Sequence, residues 1–293
     1  GNDTINTSLA NYSINSQLNI ENLTLLGTLA ASATGNINNN TLTGNSNSNV
    51  MNGMDGIDWI YGMGGSDKID GGIGNDIIDG GTGNDTLLGG LGDDSLLGGL
   101  GTNVLTGGAG ADTFLINEAA IDTITDLGGI GSVADDLKVS KYGTVTATLG
   151  SAWTADSNTF NNGKANITTA GYNVDLSGVN SGSKGFNITV TGIAAATVIN
   201  AVSDTVVGSF SNDTITGGDG QDSILGGAGN DILNGNKGSD TLRGGDGNDI
   251  FVFNTASTPT TGATVANTNL DTIMDFITGY DKIQLSKAIF VKL

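Results

Sequence analysis

The chain has 293 residues with 49 Gly and 1 Pro, and its 30 acidic against 10 basic residues leave a formal net charge of −20, a balance that repels nucleic acid and anionic lipid. It holds neither Cys nor His, which removes thiol chemistry, the common nucleophile triads and nitrogen- or sulfur-ligated zinc, copper and haem sites. Hard cations with oxygen ligands remain, calcium above all, and no run of about eighteen apolar residues offers a transmembrane helix.

The opening Gly1-Asn2-Asp3-Thr4-Ile5 reads like the middle of a repeat and carries no initiator Met or signal peptide, so a fragment or processed product is expected. Residues 1–34 alternate apolar and polar (Leu18, Ile20; Leu23, Leu25) amid Asn, Ser and Thr, which predicts strands. GNINNNTLT from Gly35 and GNSNSNVMN from Gly44 are degenerate nonapeptides that complete a β-rich lead-in over 1–52. They keep an apolar eighth place (Leu42, Met51) but carry Asn40 and Asn49 at the sixth, and are expected to keep the stack and lose the ion.

From Gly53 the period of nine is plain: GMDGIDWIY, GMGGSDKID, GGIGNDIID, GGTGNDTLL, GGLGDDSLL, GGLGTNVLT and GGAGADTFL. The sixth place holds Asp58, Asp67, Asp76, Asp85, Asp94, Asn103 and Asp112; the eighth holds Ile60, Ile69, Ile78, Leu87, Leu96, Leu105 and Phe114. A cap containing Asp122-Thr123-Ile124-Thr125-Asp126 and Asp136-Leu137-Lys138-Val139 follows, closing a first module over 53–139. Residues 140–207 form a β-rich connecting segment, in which the apolar phase runs back from Val206 through Thr197 to Ile188.

The second module, 208–293, repeats the plan with GSFSNDTIT, GGDGQDSIL, GGAGNDILN, GNKGSDTLR and GGDGNDIFV. Its sixth-place acids are Asp213, Asp222, Asp231, Asp240 and Asp249, and its cap holds Asp271-Thr272-Ile273-Met274-Asp275 and Asp281-Lys282-Ile283-Gln284-Leu285. A cap is required at a solenoid end to cover unpaired edge strands. Asp122, Asp126, Asp271 and Asp275 read as solvated cap residues, with one further ion as the alternative.

Gly at places one, two and four permits left-handed backbone and a tight turn, and the last three places read as a short strand around one inward side chain. Two turns and two strands make a coil of eighteen residues, so residues eighteen apart stack in adjacent parallel strands about 4.8 Å apart. One edge of the first roll then stacks Asp58, Asp76, Asp94 and Asp112, and the other Asp67, Asp85 and Asn103. Like charges at that spacing repel by roughly 3 kcal/mol per pair at an effective dielectric of 20, and the repeats hold only Lys68, Lys237 and Arg243 to oppose them. A divalent cation between coils converts that repulsion into attraction. The thin core, one apolar side chain per nonapeptide, points the same way and predicts that folding is coupled to calcium.

The twelve nonapeptides on the pattern GGxGxDxUx resemble the RTX, or haemolysin-type calcium-binding repeat, family. The resemblance implies an all-β fold, a right-handed parallel β-roll or β-helix solenoid with calcium-binding Gly-Asp turns, in two roll-plus-cap modules. It implies as ligands the sixth-place side chains together with turn carbonyls, namely Gly72, Gly74, Gly81, Gly83, Gly90 and Gly92 in the first array and Gly218, Gly220, Gly227 and Gly229 in the second. One ion per pair of repeats two apart gives five sites and three, about eight calcium ions; those using Asn103 are expected to be weaker, since the amide keeps an oxygen and loses a charge. An EF-hand is a poor fit, because its loop ends in a bidentate Glu and neither Glu21 nor Glu118 lies in such a loop.

No catalytic residues are expected: every Asp cluster is accounted for by repeats or caps. Gly129-x-Gly131-x-x-Ala134 matches a loosened dinucleotide fingerprint but opens no helix. Trp59, Tyr61 and Trp153 offer stacking faces for sugars, or pack at coil edges. The favoured role is a structural extracellular protein of the bacterial cell surface, an S-layer-like or adhesin segment whose partners are copies of itself or cell-surface glycans. The alternative is the C-terminal secretion and stabilisation region of an exported protease, lipase or alginate epimerase, or of a toxin. The resemblance implies type I export in either case, and the apolar end Ala288–Leu293 fits an uncleaved export signal.

Overall fold

The computed structural model describes residues 2–117, 119–128, 135–149, 151, 153–155, 157–168, 174–175, 186–189, 205–208, 210, 212–219, 221–254 and 270–286. Its regular elements are all β-strands, and all the pairings between them are parallel among the described residues. The chain divides into two units, Gly1–Ser151 with Asn161–Lys164, and Ala152–Phe160 with Ala165–Leu293.

In the first unit, successive strands go alternately to two sheets. One stacks Trp59–Tyr61, Ile77–Asp79, Ser95–Leu97 and Thr113–Ile116. The other stacks Asn49–Asp55, Lys68–Ile73, Thr86–Leu91 and Thr102–Ala109. The register is the expected eighteen: Ile69 pairs with Leu87 and Leu87 with Leu105, while Ile78 pairs with Leu96 and Leu96 with Phe114. Alternation along each strand turns the eighth place inward, and all seven eighth-place side chains of the first array, Ile60 included, are at most 1% exposed. This is the β-solenoid that the period of nine predicts.

The degenerate coils keep the same stack. Leu42 pairs with Ile60 and Met51 with Ile69, and both are buried. Further back, Leu23 pairs with Leu42 and Ala33 with Met51. Strands over the cap continue the sheets: Asn103 pairs with Asp122, Phe114 with Leu137, and Ile124 with Ala147.

The second unit follows the same rule. Ile215, Leu233 and Phe251 align in one sheet, and Val206, Ile224 and Leu242 in another, all buried. Ile188 pairs with Ile215, so the connecting segment belongs to the solenoid where it is described; Thr197 lies outside the described residues. The strands Thr272–Ile273 and Lys282–Leu285 add to Thr241–Asp246 and Ile250–Phe253 in parallel.

One expectation needs correction. Three-residue strands occur on one side of the first array only; on the other, strands such as Lys68–Ile73 and Thr86–Leu91 run on through the glycines. Stacked glycines stay in register (Gly72 with Gly90, Gly90 with Gly108), so the turn backbone extends the ladder rather than ending it.

Candidate calcium columns

The sixth-place residue ends each turn just before its strand begins, and eighteen-residue stacking sets these residues one above another. Each carboxylate takes up the backbone of the coil before it. Asp58 N–H donates to Asp76 Oδ1 (2.8 Å), Asp76 N–H to Asp94 Oδ1 (2.7 Å) and Asp94 N–H to Asp112 Oδ1 (2.9 Å). On the other edge, Asp67 N–H donates to Asp85 Oδ1 (2.8 Å) and Asp85 N–H to Asn103 Oδ1 (2.9 Å). In the second unit Asp213 donates to Asp231 and Asp231 to Asp249, while Asp222 donates to Asp240. All twelve predicted side chains therefore lie in four columns, and every one is at most 2% exposed.

The second carboxylate oxygen carries the chemistry. Oδ2 of Asp58, Asp67, Asp76, Asp85, Asp94, Asp112, Asp231, Asp240 and Asp249 is buried with no hydrogen-bond partner. A buried oxygen anion without a partner is costly. Burial accordingly pushes the carboxyls of Asp58, Asp67, Asp94, Asp112 and Asp231 up to about 7, against the pull of the backbone N–H each accepts; neighbouring acids raise them further. Asp76, Asp85 and Asp249 move the same way for the same first reason.

The glycines divide into two kinds. Those at places two and four adopt left-handed backbone, with Gly72 at φ 111°, Gly74 at 142°, Gly81 at 92°, Gly83 at 137°, Gly90 at 120°, Gly92 at 127°, Gly227 at 112° and Gly229 at 117°. Their carbonyls point along the stack: a methyl on Gly90 would strike the Gly72 oxygen, and one on Gly92 the Gly74 oxygen. Gly218 lies in the strand Thr214–Asp219, and Gly220 is outside the described residues. Place one is different, and the expectation of left-handed backbone fails there. A methyl on Gly71 would sit 2.5 Å from Asp76 Oδ2 and 2.6 Å from the Gly89 carbonyl oxygen; on Gly80, 2.6 Å from Asp85 Oδ2 and 2.7 Å from the Gly98 oxygen. Place one is glycine because two oxygens converge on the space a side chain would need. The place-one carbonyls of Gly71, Gly80, Gly89 and Gly98 are thus part of the site, although the sequence pattern singled out places two and four.

These donors fit a hard cation. An unpartnered buried carboxylate oxygen and a backbone carbonyl face one spot, and calcium takes such mixed oxygen sets. Among the described residues no three acidic side chains surround a single point, so any ion here depends on carbonyl oxygens as well as on aspartates. The degenerate coils solve the same position without charge. Asn40 Oδ1 accepts from Asn36 N–H (2.7 Å) while its Nδ2 donates to Asn36 Oδ1 (3.3 Å); Asn49 and Asn45 repeat the arrangement. An Asn at place two together with an Asn at place six is the sequence signal of this neutral arrangement.

At the fifth place an exposed ladder runs in the opposite sense. Asp93 N–H donates to Asn75 Oδ1, Ala111 N–H to Asp93 Oδ1, and Asn248 N–H to Asn230 Oδ1, each at 2.8 or 2.9 Å.

The caps supply column residues too. Asp135 Oδ1 accepts from Asp112 N–H, and Asp281 Oδ1 from Asp249 N–H, both at 3.0 Å. The other oxygen of each is held by a backbone N–H, that of Gly128 or of Ile277. Asp122 and Asp271 end the remaining two columns. Asp122 is 1% exposed, which overturns its reading as a solvated residue; its Oδ2 is unpartnered and burial raises its carboxyl to about 6. Asp126 instead accepts from Gly107 and Gly108 N–H (3.0 and 2.9 Å), and Asp275 from Gly244 and Gly245 (2.9 Å each). The nonapeptide phase does not mark Asp135 as a column member, although it precedes the strand Asp136–Val139 just as Asp112 precedes Thr113–Ile116.

The remaining candidates fall away or lie elsewhere. Trp153 is buried and offers no stacking face, whereas Trp59 is 49% exposed. Gly129, Gly131 and Ala134, and the end Ala288–Leu293, are outside the described residues.

Comparison with known proteins agrees with this geometry. The family model of the RTX calcium-binding nonapeptide repeat matches residues 34–56, 43–78, 52–87, 79–114, 200–233 and 225–254. No match was found among curated proteins or among solved structures.

Proposed function

We propose, from the premise that this chain carries RTX calcium-binding nonapeptide repeats, that it is a calcium-folded structural protein of the bacterial cell surface, S-layer-like or adhesive, exported by type I secretion. The observation that carries this reading is how the buried acid is used. Among the described residues, every buried aspartate is a rung of one of the four columns or the residue that ends one. The carboxylates hold coil to coil, and the reading assigns no catalysis to them.

Calcium supplies the positive charge that lets stacked carboxylates stay ionised in a compact roll. About eight ions, as the repeat count suggests, would reduce the charge of −20 to about −4. Low calcium during export and high calcium outside would then separate an extended chain from a stiff one. Self-association or glycan contact at the surface completes the role.

Electron microscopy of the purified chain, with calcium and after chelation, tests it. Ordered sheets or filaments that form only with calcium are the expected result. Dispersed single particles in both conditions would overturn the structural role and favour the secretion region of an exported enzyme or toxin.

A further inference from the structure

The outward residues one before the buried eighth place form a column of their own. Thr4, Asn22, Thr41, Trp59 and Ile77 follow one another through the parallel register, and Trp59 is the aromatic member. It is 49% exposed, while the chain's other Trp, Trp153, is 1% exposed. Beside this column lies an open cleft of about 210 Å³. Glu21 and Asn22 of the lead-in line it, with Asn39 and Thr41 of the next coil and Ile57 and Trp59 of the first Asp repeat.

The polar side chains of this cleft are each half used. Glu21 Oε2 accepts from Asp3 N–H at 2.7 Å, which leaves Oε1. Asn22 Nδ2 donates to the Asp3 carbonyl and to Thr4 Oγ1, both at 3.2 Å, which leaves Oδ1. Asn39 Oδ1 accepts from Ile57 N–H at 2.8 Å, which leaves Nδ2. The bonds within the chain hold these groups in place and decide which atom each has to spare. Thr41 adds a hydroxyl and Trp59 an indole N–H. Acceptors and donors therefore line one small space beside an exposed aromatic face.

That combination selects its ligand. An anion meets the Glu21 carboxylate and a chain of net charge −20. A bare cation meets a single carboxylate among N–H donors, and a purely apolar molecule leaves the polar groups unpaired. A neutral sugar fits: its hydroxyls both donate and accept, and its C–H face suits an indole. Ile60 points inward at 0% exposure, so Trp59 and Tyr61 share the outer face, about 6.6 Å apart along the strand. Half-buried Tyr61 offers a second, smaller contact for a further sugar unit.

We propose that this cleft is a glycan site, in which one neutral sugar ring stacks on Trp59 while Glu21, Asn22 and Asn39 bond its hydroxyls, and that the sugar chain runs on towards Tyr61. The inference rests on the cell-surface reading and names the partner that this face would hold.

The test titrates the calcium-loaded full chain with maltotriose, cellotriose, mannotriose and chitotriose, and with a trimer of uronic acid. Binding is read by isothermal titration and by protection of tryptophan fluorescence from acrylamide, to which Trp59 is open and Trp153 is not. At least one neutral trimer is expected to bind and to shield Trp59, and the acidic trimer is expected to do neither. Trp59→Ala is expected to weaken binding about tenfold and Asn39→Ala about fivefold, with the β spectrum in calcium unchanged. Uptake of none of the neutral trimers, uptake of the acidic trimer alone, or undiminished affinity in Trp59→Ala overturns the proposal. Calcium-dependent lattices are scored without glycan, so lattices that form while no trimer binds overturn the glycan site and leave the structural role standing.

Discussion

Residues 35–52 and 53–115 build the same coil with two chemistries. Register, parallel pairing and the buried eighth place are shared: Met51 continues Ile69, and Leu42 continues Ile60. The sixth place is equally buried in both, at 2% exposure for Asn40 and 1% for Asp76. In the lead-in, however, Asn40 and Asn49 satisfy themselves against Asn36 and Asn45, whereas in the array an oxygen of each Asp is left over. Geometry alone therefore does not require an ion; the aspartate does. An amide pair gives a coil that stands unaided, and a carboxylate gives one that stands conditionally.

Chelation should break this parity most visibly. Removing calcium is expected to abolish the β signal of the arrays by circular dichroism. Hydrogen exchange should then show the amides of Asp76, Asp85 and Asp231 losing protection while those of Asn36 and Asn45 lose less. Equal loss in both regions would mean that the amide coils have no stability of their own.

Acid should partly undo chelation. Asp58, Asp67, Asp94, Asp112 and Asp231 have folded values near 7, above the ordinary carboxylate value of 3.8. Between those two values the folded calcium-free chain holds more protons than the unfolded one, so its stability rises as the pH falls from 7 towards 4 and is lost as the pH rises through 7. Calcium-free protein taken from pH 8 to pH 5 is expected to regain β structure, and uptake of calcium is expected to release protons. A calcium-free roll that weakens on acidification would contradict the burial of these oxygens.

The narrowest test is Gly71→Ala. Its methyl meets both Asp76 Oδ2 and the Gly89 oxygen, so the substitution is expected to cost about 2–3 kcal/mol in calcium and to remove one bound ion. Thermal melting with and without calcium measures it; a cost confined to the calcium-free state would show that these oxygens do not face an ion.

The stack was legible because period, inward apolar residue and acid share one phase from Gly53 to Leu115 and again from Gly208 to Val252. Asp135 and Asp281 were harder to see, because insertions displace them from that phase, and only their position before a strand marks them. The role of place-one glycine was hidden for another reason. Sequence shows that a glycine is present but cannot distinguish a backbone need, as at Gly72 with φ 111°, from a spatial one, as at Gly71. The orientation of Asn103 was half legible: a lost charge can be read from the residue type, but the direction of the amide depends on the hydrogen bond from Asp85 N–H to its Oδ1, which leaves Nδ2 to donate to Asp122.

The four columns end after chain separations of 23, 19, 31 and 32 residues, where the body of the roll uses eighteen, and each time an aspartate arrives in the same slot. Whatever length the chain spends on its detour, one carboxylate resets the count. The scaffold can therefore take up foreign sequence between coils without losing step, provided the returning strand is preceded by that single acid.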